Sequence, residues 1–177
     1  MDDSAVIINR KDAWQRVLEI IRKRWEELQT PACSGHRAKL RRAQSPDEVA
    51  MQAHYYSIIA PLLAMDELEP LKRRISSHMP SVVGLLAHVK TDDQNRSFAE
   101  AMGTKKQGSD QPIVSDLRFR RILRVEDQDE LYTTMIRVIR MLDGNVNVTD
   151  LATSVFFWNE QTRKRWASLY YLKRNIY

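Results

Sequence analysis

Scarcity of several residue types narrows the function first. A single cysteine, Cys33, in 177 residues excludes an internal disulfide framework. It leaves Cys33-x-x-His36 as half of a metal site with no nearby spacing to supply the other half. Only five glycines and six prolines are present, and no glycine-rich phosphate loop, His-Glu-x-x-His, Cys-x-x-Cys or Gly-x-Ser-x-Gly turn occurs. Clustered carboxylates for nuclease metal ions are also missing. The acid pairs Asp92 with Asp93 and Asp127 with Asp129 fall in loops or helix first turns, where the helix dipole alone favours them. His54, His78 and His88 sit in helical stretches beside apolar residues and read as packed or surface imidazoles rather than catalytic ones. No stretch approaches the roughly 18 apolar residues of a membrane span, and the acidic start "MDDSAVIINRKD" lacks the apolar core of a signal peptide. These absences predict a folded protein of a reducing, cytoplasmic setting, not an enzyme, with no cofactor, no metal and no membrane partner.

Two-residue alternation is almost absent too, limited to "NVNV" at 145–148, so strands are few. Helical spacing recurs instead. Residues 10–29 place Trp14, Val17, Leu18, Ile21, Trp25 and Leu28 on one stripe, and Pro31 ends the helix. A short helix covers Ser34 to Ala43. Ser45, Pro46 and Glu48 form a helix-start signal for a long helix that is bent or ended near Pro61. Shorter helices are expected over 68–77 and 80–90, each introduced by a proline. Residues 104–115, holding Lys105, Lys106, Gly108 and Pro112, read as an exposed linker. Beyond it come a helix in "SDLRFRRILRVE", one opened by a capping box from Asp127 to Glu130 and stopped at Gly144, and two more separated near Asn159. The expected fold is all-α, with two small helical bundles in one elongated chain: residues 1–103, then the linker, then a four-helix bundle at 116–177. In "VFFW", adjacent residues of a helix point different ways, so the trio Phe156, Phe157 and Trp158 reads mainly as core rather than as a base-stacking platform.

Against those absences stands clustered positive charge. The chain has 28 Lys and Arg against 23 Asp and Glu, a net +5, which only weakly favours polyanions. Its distribution says more. "SGHRAKLRRAQ" carries Arg37, Lys39, Arg41 and Arg42 with no acid. In "DLRFRRILRV" a helical wheel puts Phe119, Ile122 and Leu123 on one arc and Arg118, Arg120, Arg121 and Arg124 opposite. Arg137 and Arg140, three apart, share a face of the next helix. Local acids are too few to pair these arginines, and the planar guanidinium fork suits phosphate. Nothing resembles a base-reading helix, finger or aromatic signature. The pattern therefore points to sequence-independent, salt-sensitive binding of a nucleic-acid backbone.

The same segments, in order, resemble the CasB family, the small subunit of the type I-E CRISPR surveillance complex Cascade. The likeness lies in a Trp-containing first helix, "LRRAQSPDE", "HYYSIIAPL", "SFAEAM", "RILRVEDQDEL", "RVIRML" and "DLATSVFFWNEQTRKRWASLYY". It implies a non-catalytic, two-bundle protein of a prokaryotic cytoplasm that packs with a second copy of itself between the Cascade backbone and large subunits. It also implies contact with guide RNA and with target and non-target DNA strands, stabilising the R-loop while base pairing supplies specificity. On this resemblance Arg41 and Arg42 match paired arginines before the capped helix, and Arg118 and Arg124 match basic positions after the linker. Arg137, Arg140 and Arg163 match more loosely, and Lys72 corresponds to a basic residue in the middle of the first domain. After "FFW" the chain departs from the family, with Asn159, Glu160 and Gln161 preceding Arg163. The alternative reading is a stand-alone helical protein-protein adaptor with a solvated basic surface.

Overall fold

The computed structural model describes residues 10–175. They form an all-α fold of ten α-helices with one two-residue parallel strand pair. In α1 (Arg10–Leu28) the stripe Trp14, Val17, Leu18, Ile21, Trp25 and Leu28 is buried throughout. That apolar area, at about 25 cal/mol per Å² removed from water, holds a helix whose other faces are charged. After a short 3-10 turn from Pro31, α2 (Ser34–Arg42) buries only Leu40 and leaves Lys39, Arg41 and Arg42 exposed. The start signal operates as the sequence predicts. Ser45 Oγ accepts from Glu48 N at 3.2 Å, opening α3 (Pro46–Ala50), while the Glu48 carboxylate accepts from Gln44 N at 2.8 Å.

Two expected helix boundaries are corrected. The long helix from Pro46 breaks at Met51 and Gln52, where Gln52 is extended (ψ 130°), and α4 (Ala53–Leu63) then ends two residues past Pro61, near the stop that proline signals. The break re-aims the chain so that Tyr55, Ile58, Ile59 and Leu62 face the core. The two helices expected over 68–77 and 80–90 are one, α5 (Glu69–Leu86), with Pro80 inside it. An interior proline costs about 3 kcal/mol. Every residue from Met79 to Leu86 is buried, however, and at about 1.5–3 kcal/mol for each large apolar side chain the packing outweighs the break. This helix is the hub, packing against α1, α2, α3, α4, α8 and α9.

Ser97 and Glu100 form a reciprocal capping box on α6 (Phe98–Gly103). Residues 105–111 are exposed, but their ends are drawn together: Ile113 N donates to Thr104 O and Val114 N to Met102 O. Beyond them lie α7 (Asp116–Ile122), α8 (Gln128–Met141), α9 (Val148–Phe156) and α10 (Glu160–Asn175). The sequence-predicted cap holds, with Asp127 accepting from Glu130 N, and Gly144 takes a left-handed φ of 76°. Helix α9 lies on α5 and α1, and α10 on α6. Buried residues from Ala13 to Tyr170 form a continuous hydrophobic cluster. The aromatic trio belongs to it: Phe156 stacks on Trp14 at 4.4 Å, Phe157 meets the same ring edge-on, and Trp158 packs on Trp166.

Candidate nucleic-acid interface

The basic face of α2 and that of α8 are brought together by the segment between α5 and α6. Residues 88–92 leave the end of α5 and pair with the turn after α8: Lys90 N and Thr91 N donate to Gly144 O, and β1 (Thr91–Asp92) runs parallel to β2 (Asn145–Val146). A Cβ on Gly144 would stand 2.7 Å from Lys90 Cγ, so the crossing requires glycine there for space as well as for φ. From the other side Arg37 clamps the segment, its Nε donating to Ala87 O and its Nη2 to Val89 O, both at 3.1 Å. Tyr132 of α8 donates to Ala43 O, at the end of α2, at 3.4 Å. Burial, with the nearby Glu48 carboxylate second, pushes that phenol up to about 12.

Arg37, Arg41 and Arg140 converge on His88. Its side chain is 6% exposed and its Nε2 has no hydrogen-bond partner. Burial first, then the positive charges of Arg41, Arg140 and Arg37, hold the imidazole down at about 4. It is neutral at physiological pH and adds nothing to the charge of the band. Burial and the adjacent Arg41 also lower the Arg37 pKa from its ordinary value.

Arg137 lies one turn from Arg140 on α8 and continues the band toward α7. Phe119 stacks on Tyr170 at 3.8 Å and Tyr170 donates to Val114 O at 2.6 Å. This fixes α7 with Phe119 and Ile122 inward and its arginines outward, as the helical wheel predicts. Arg118, Arg121 and Arg137 then rim a groove of about 440 Å³ between α7 and α8. Lys39 and Arg42 face the other way, lining a shallow depression with Glu48, Met51 and Gln52. Arg124 is exposed just past the end of α7. Arg163 reaches the same helix end, donating to Leu123 O at 3.4 Å with Glu126 at 3.8 Å. Lys72 stands apart. It lies sixteen residues before His88, about 24 Å along a helix, and pairs with Glu69 at 2.7 Å, a hydrogen bond that raises its pKa.

Pairing separates these residues from the rest of the surface. Outside the sequence-predicted set, seven of the nine arginines whose side chains are described pair with a carboxylate: Arg16, Arg22, Arg24, Arg96, Arg120, Arg165 and Arg174. Within the set, only Arg163 of its nine arginines does, among the described residues. Arg120, which shares the basic face of α7, is neutralised by Asp116 at 2.8 Å.

A second, larger groove of about 520 Å³ was not foreseen from sequence, because its walls come from four distant segments. Arg22, Arg96, Asp150 and Arg165 are among its lining residues. Its arginines are spoken for, by Asp92 at 3.2 Å, Asp93 at 2.6 Å and Asp150 at 2.9 Å respectively. It therefore offers a phosphate far less than the α7–α8 groove does. Cys33 and His36 gain no further ligands: among the described residues no group of three or more His, Cys, Asp or Glu is placed to hold a metal ion. His36 instead stacks on His54 at 4.1 Å. No described helix is long and apolar enough to cross a membrane.

The family profile of CRISPR-associated protein Cse2 matches residues 36–171. The chain belongs to the Cse2 family. All eleven basic residues singled out from sequence, Arg37 to Arg163, fall inside the matched region. Solved structures share the fold over about nine-tenths of the chain. A chain from the crystal structure of E. coli Cascade bound to a PAM-containing double-stranded DNA target superposes with a TM-score of 0.63 at 15% identity, covering 91% of this chain and 95% of that one. CasB from Thermus thermophilus gives a TM-score of 0.63 at 19% identity, covering 89% and 97%. No curated protein sequence matches the chain.

Proposed function

We propose that this chain is a non-catalytic small subunit of a type I-E Cascade complex, where it stabilises the R-loop by gripping strand backbones without reading their sequence. Its partners are the Cascade backbone and large subunits, a second copy of itself, the guide RNA and the target and displaced DNA strands. The reading draws support from Cse2 family membership and from full-length likeness to a chain of a DNA-bound Cascade. The observation that carries it is the absence, among the described residues, of carboxylate partners for the exposed Arg41, Arg42, Arg118, Arg121, Arg124, Arg137 and Arg140 in a molecule that pairs most of its other arginines, Arg37 being held by backbone carbonyls instead. Exposed unpaired guanidiniums repel one another, and phosphate is the ligand their planar donors fit best. Specificity then rests with guide pairing.

The test is a Cascade assembled with the triple variant Arg118→Ala, Arg121→Ala, Arg137→Ala. The complex forms, but permanganate reactivity shows the displaced strand re-pairing faster, with an R-loop lifetime shortened about tenfold or more if two or three charge-assisted contacts are lost. An unchanged lifetime would contradict the proposal.

A further inference from the structure

The floor of the α7–α8 groove is not what phosphate contacts call for. Val114, Ile122, Val125, Val138 and Met141 line it beneath the three arginines. Phosphate is held by cations and water and gains nothing from an apolar trough. A nucleobase has a flat, weakly polar face that gains by leaving water. At about 440 Å³ the trough falls within the roughly 300–1,000 Å³ of pockets that enclose small planar ligands. Arg118, Arg121 and Arg137 carry no carboxylate partner among the described residues, so the rim attracts an anionic strand. Glu130 also lines the groove, and its carboxylate disfavours a phosphate inside it. Paired bases in a duplex are stacked and their faces are covered, so only an unpaired strand can supply the occupant.

Resting on the strand-binding reading above, we infer that the groove between α7 and α8 buries an unpaired nucleobase while Arg118, Arg121 and Arg137 hold its flanking phosphates. This face therefore selects single strands over duplex.

The experiment measures fluorescence anisotropy of the full chain at one salt concentration with three DNA probes of equal length: a single strand, the same strand with its internal bases removed, and a duplex. The base-containing strand binds about tenfold more tightly than the abasic one, consistent with the contribution of one buried base face. Thr134→Trp, which fills the groove from α8, brings that ratio to about one. Equal affinity of the wild-type chain for the two single strands overturns the inference while leaving strand binding intact. Failure of all three probes to bind overturns the strand-binding reading instead. Polyglutamate binding as tightly as the base-containing strand assigns the groove to an acidic peptide and also overturns the inference. Should Thr134→Trp lose helix content by circular dichroism, a short strand of 2-aminopurine replaces it as the readout. Its emission changes on binding to the wild-type chain if a base leaves water, and unchanged emission in the bound state contradicts the inference.

Discussion

Arg37 and Arg41 lie one turn apart on the same helix, yet they are built for different work. The Arg37 guanidinium is committed to two carbonyls at the end of α5, whereas Arg41 is exposed and makes no ion pair among the described residues. Arg37→Ala is therefore expected to destabilise the fold by about 1–3 kcal/mol, the range for losing charged hydrogen bonds to buried carbonyls, read from a shifted urea midpoint. The double variant Arg41→Ala, Arg42→Ala should stay within about 0.5 kcal/mol of the parent and lose nucleic-acid affinity instead. His88 gives a pH signature. Its folded pKa of about 4 lies below the unfolded value of 6.5, so between those values the unfolded chain binds the extra proton and stability falls as pH drops through that window. The loss from pH 7 to pH 4 is on the order of 2 kcal/mol; His88→Leu should flatten that part of the urea-midpoint profile. Gly84 is a packing constraint. A Cβ there would lie 2.5 Å from the Tyr132 hydroxyl and 2.7 Å from Val49, so Gly84→Ala should cost about 1–3 kcal/mol in thermal or urea unfolding.

At the scale of the elements, local periodicity made the amphipathic helices legible. The Trp14 to Leu28 stripe and the division of α7 into apolar and arginine faces follow from a 3.6-residue repeat, and the caps at Ser45 and Asp127 follow from short-range chemistry. Proline misled in α5 because its cost is local while the burial that overrides it comes from neighbours distant in sequence. The interface divides the same way. Which face of a helix carries arginine is readable from one segment. That α2 and α8 converge on His88, and that Arg163 and Lys72 have carboxylate partners, depends on folding. His88 and the groove floor carry no sequence signal of their own, since an imidazole in an apolar run and a set of valines look like ordinary core. Ser97 offers a check on cap energetics: Ser97→Ala removes the acceptor for Glu100 N and should cost about 1 kcal/mol of stability, measured by chemical denaturation.

At the scale of the whole molecule, the net charge of +5 understates how the surface is arranged. Among the described residues, most arginines outside the band are neutralised by adjacent acids, while the exposed arginines of the band from α2 across α8 to α7 have no carboxylate partner. On the proposed strand-binding reading, binding releases counterions from a polyanion, and the affinity should carry a salt exponent that counts phosphate contacts. The decisive measurement is the affinity of the purified chain for unrelated single-stranded DNA sequences across a salt series, compared with the variant lacking Arg118, Arg121 and Arg137. The band predicts equal affinity across sequences, a linear fall of log K with log salt, and a slope reduced by about 0.7 for each arginine that had contacted a phosphate. Binding that is absent at low salt, or a slope that the triple variant leaves unchanged, would contradict it.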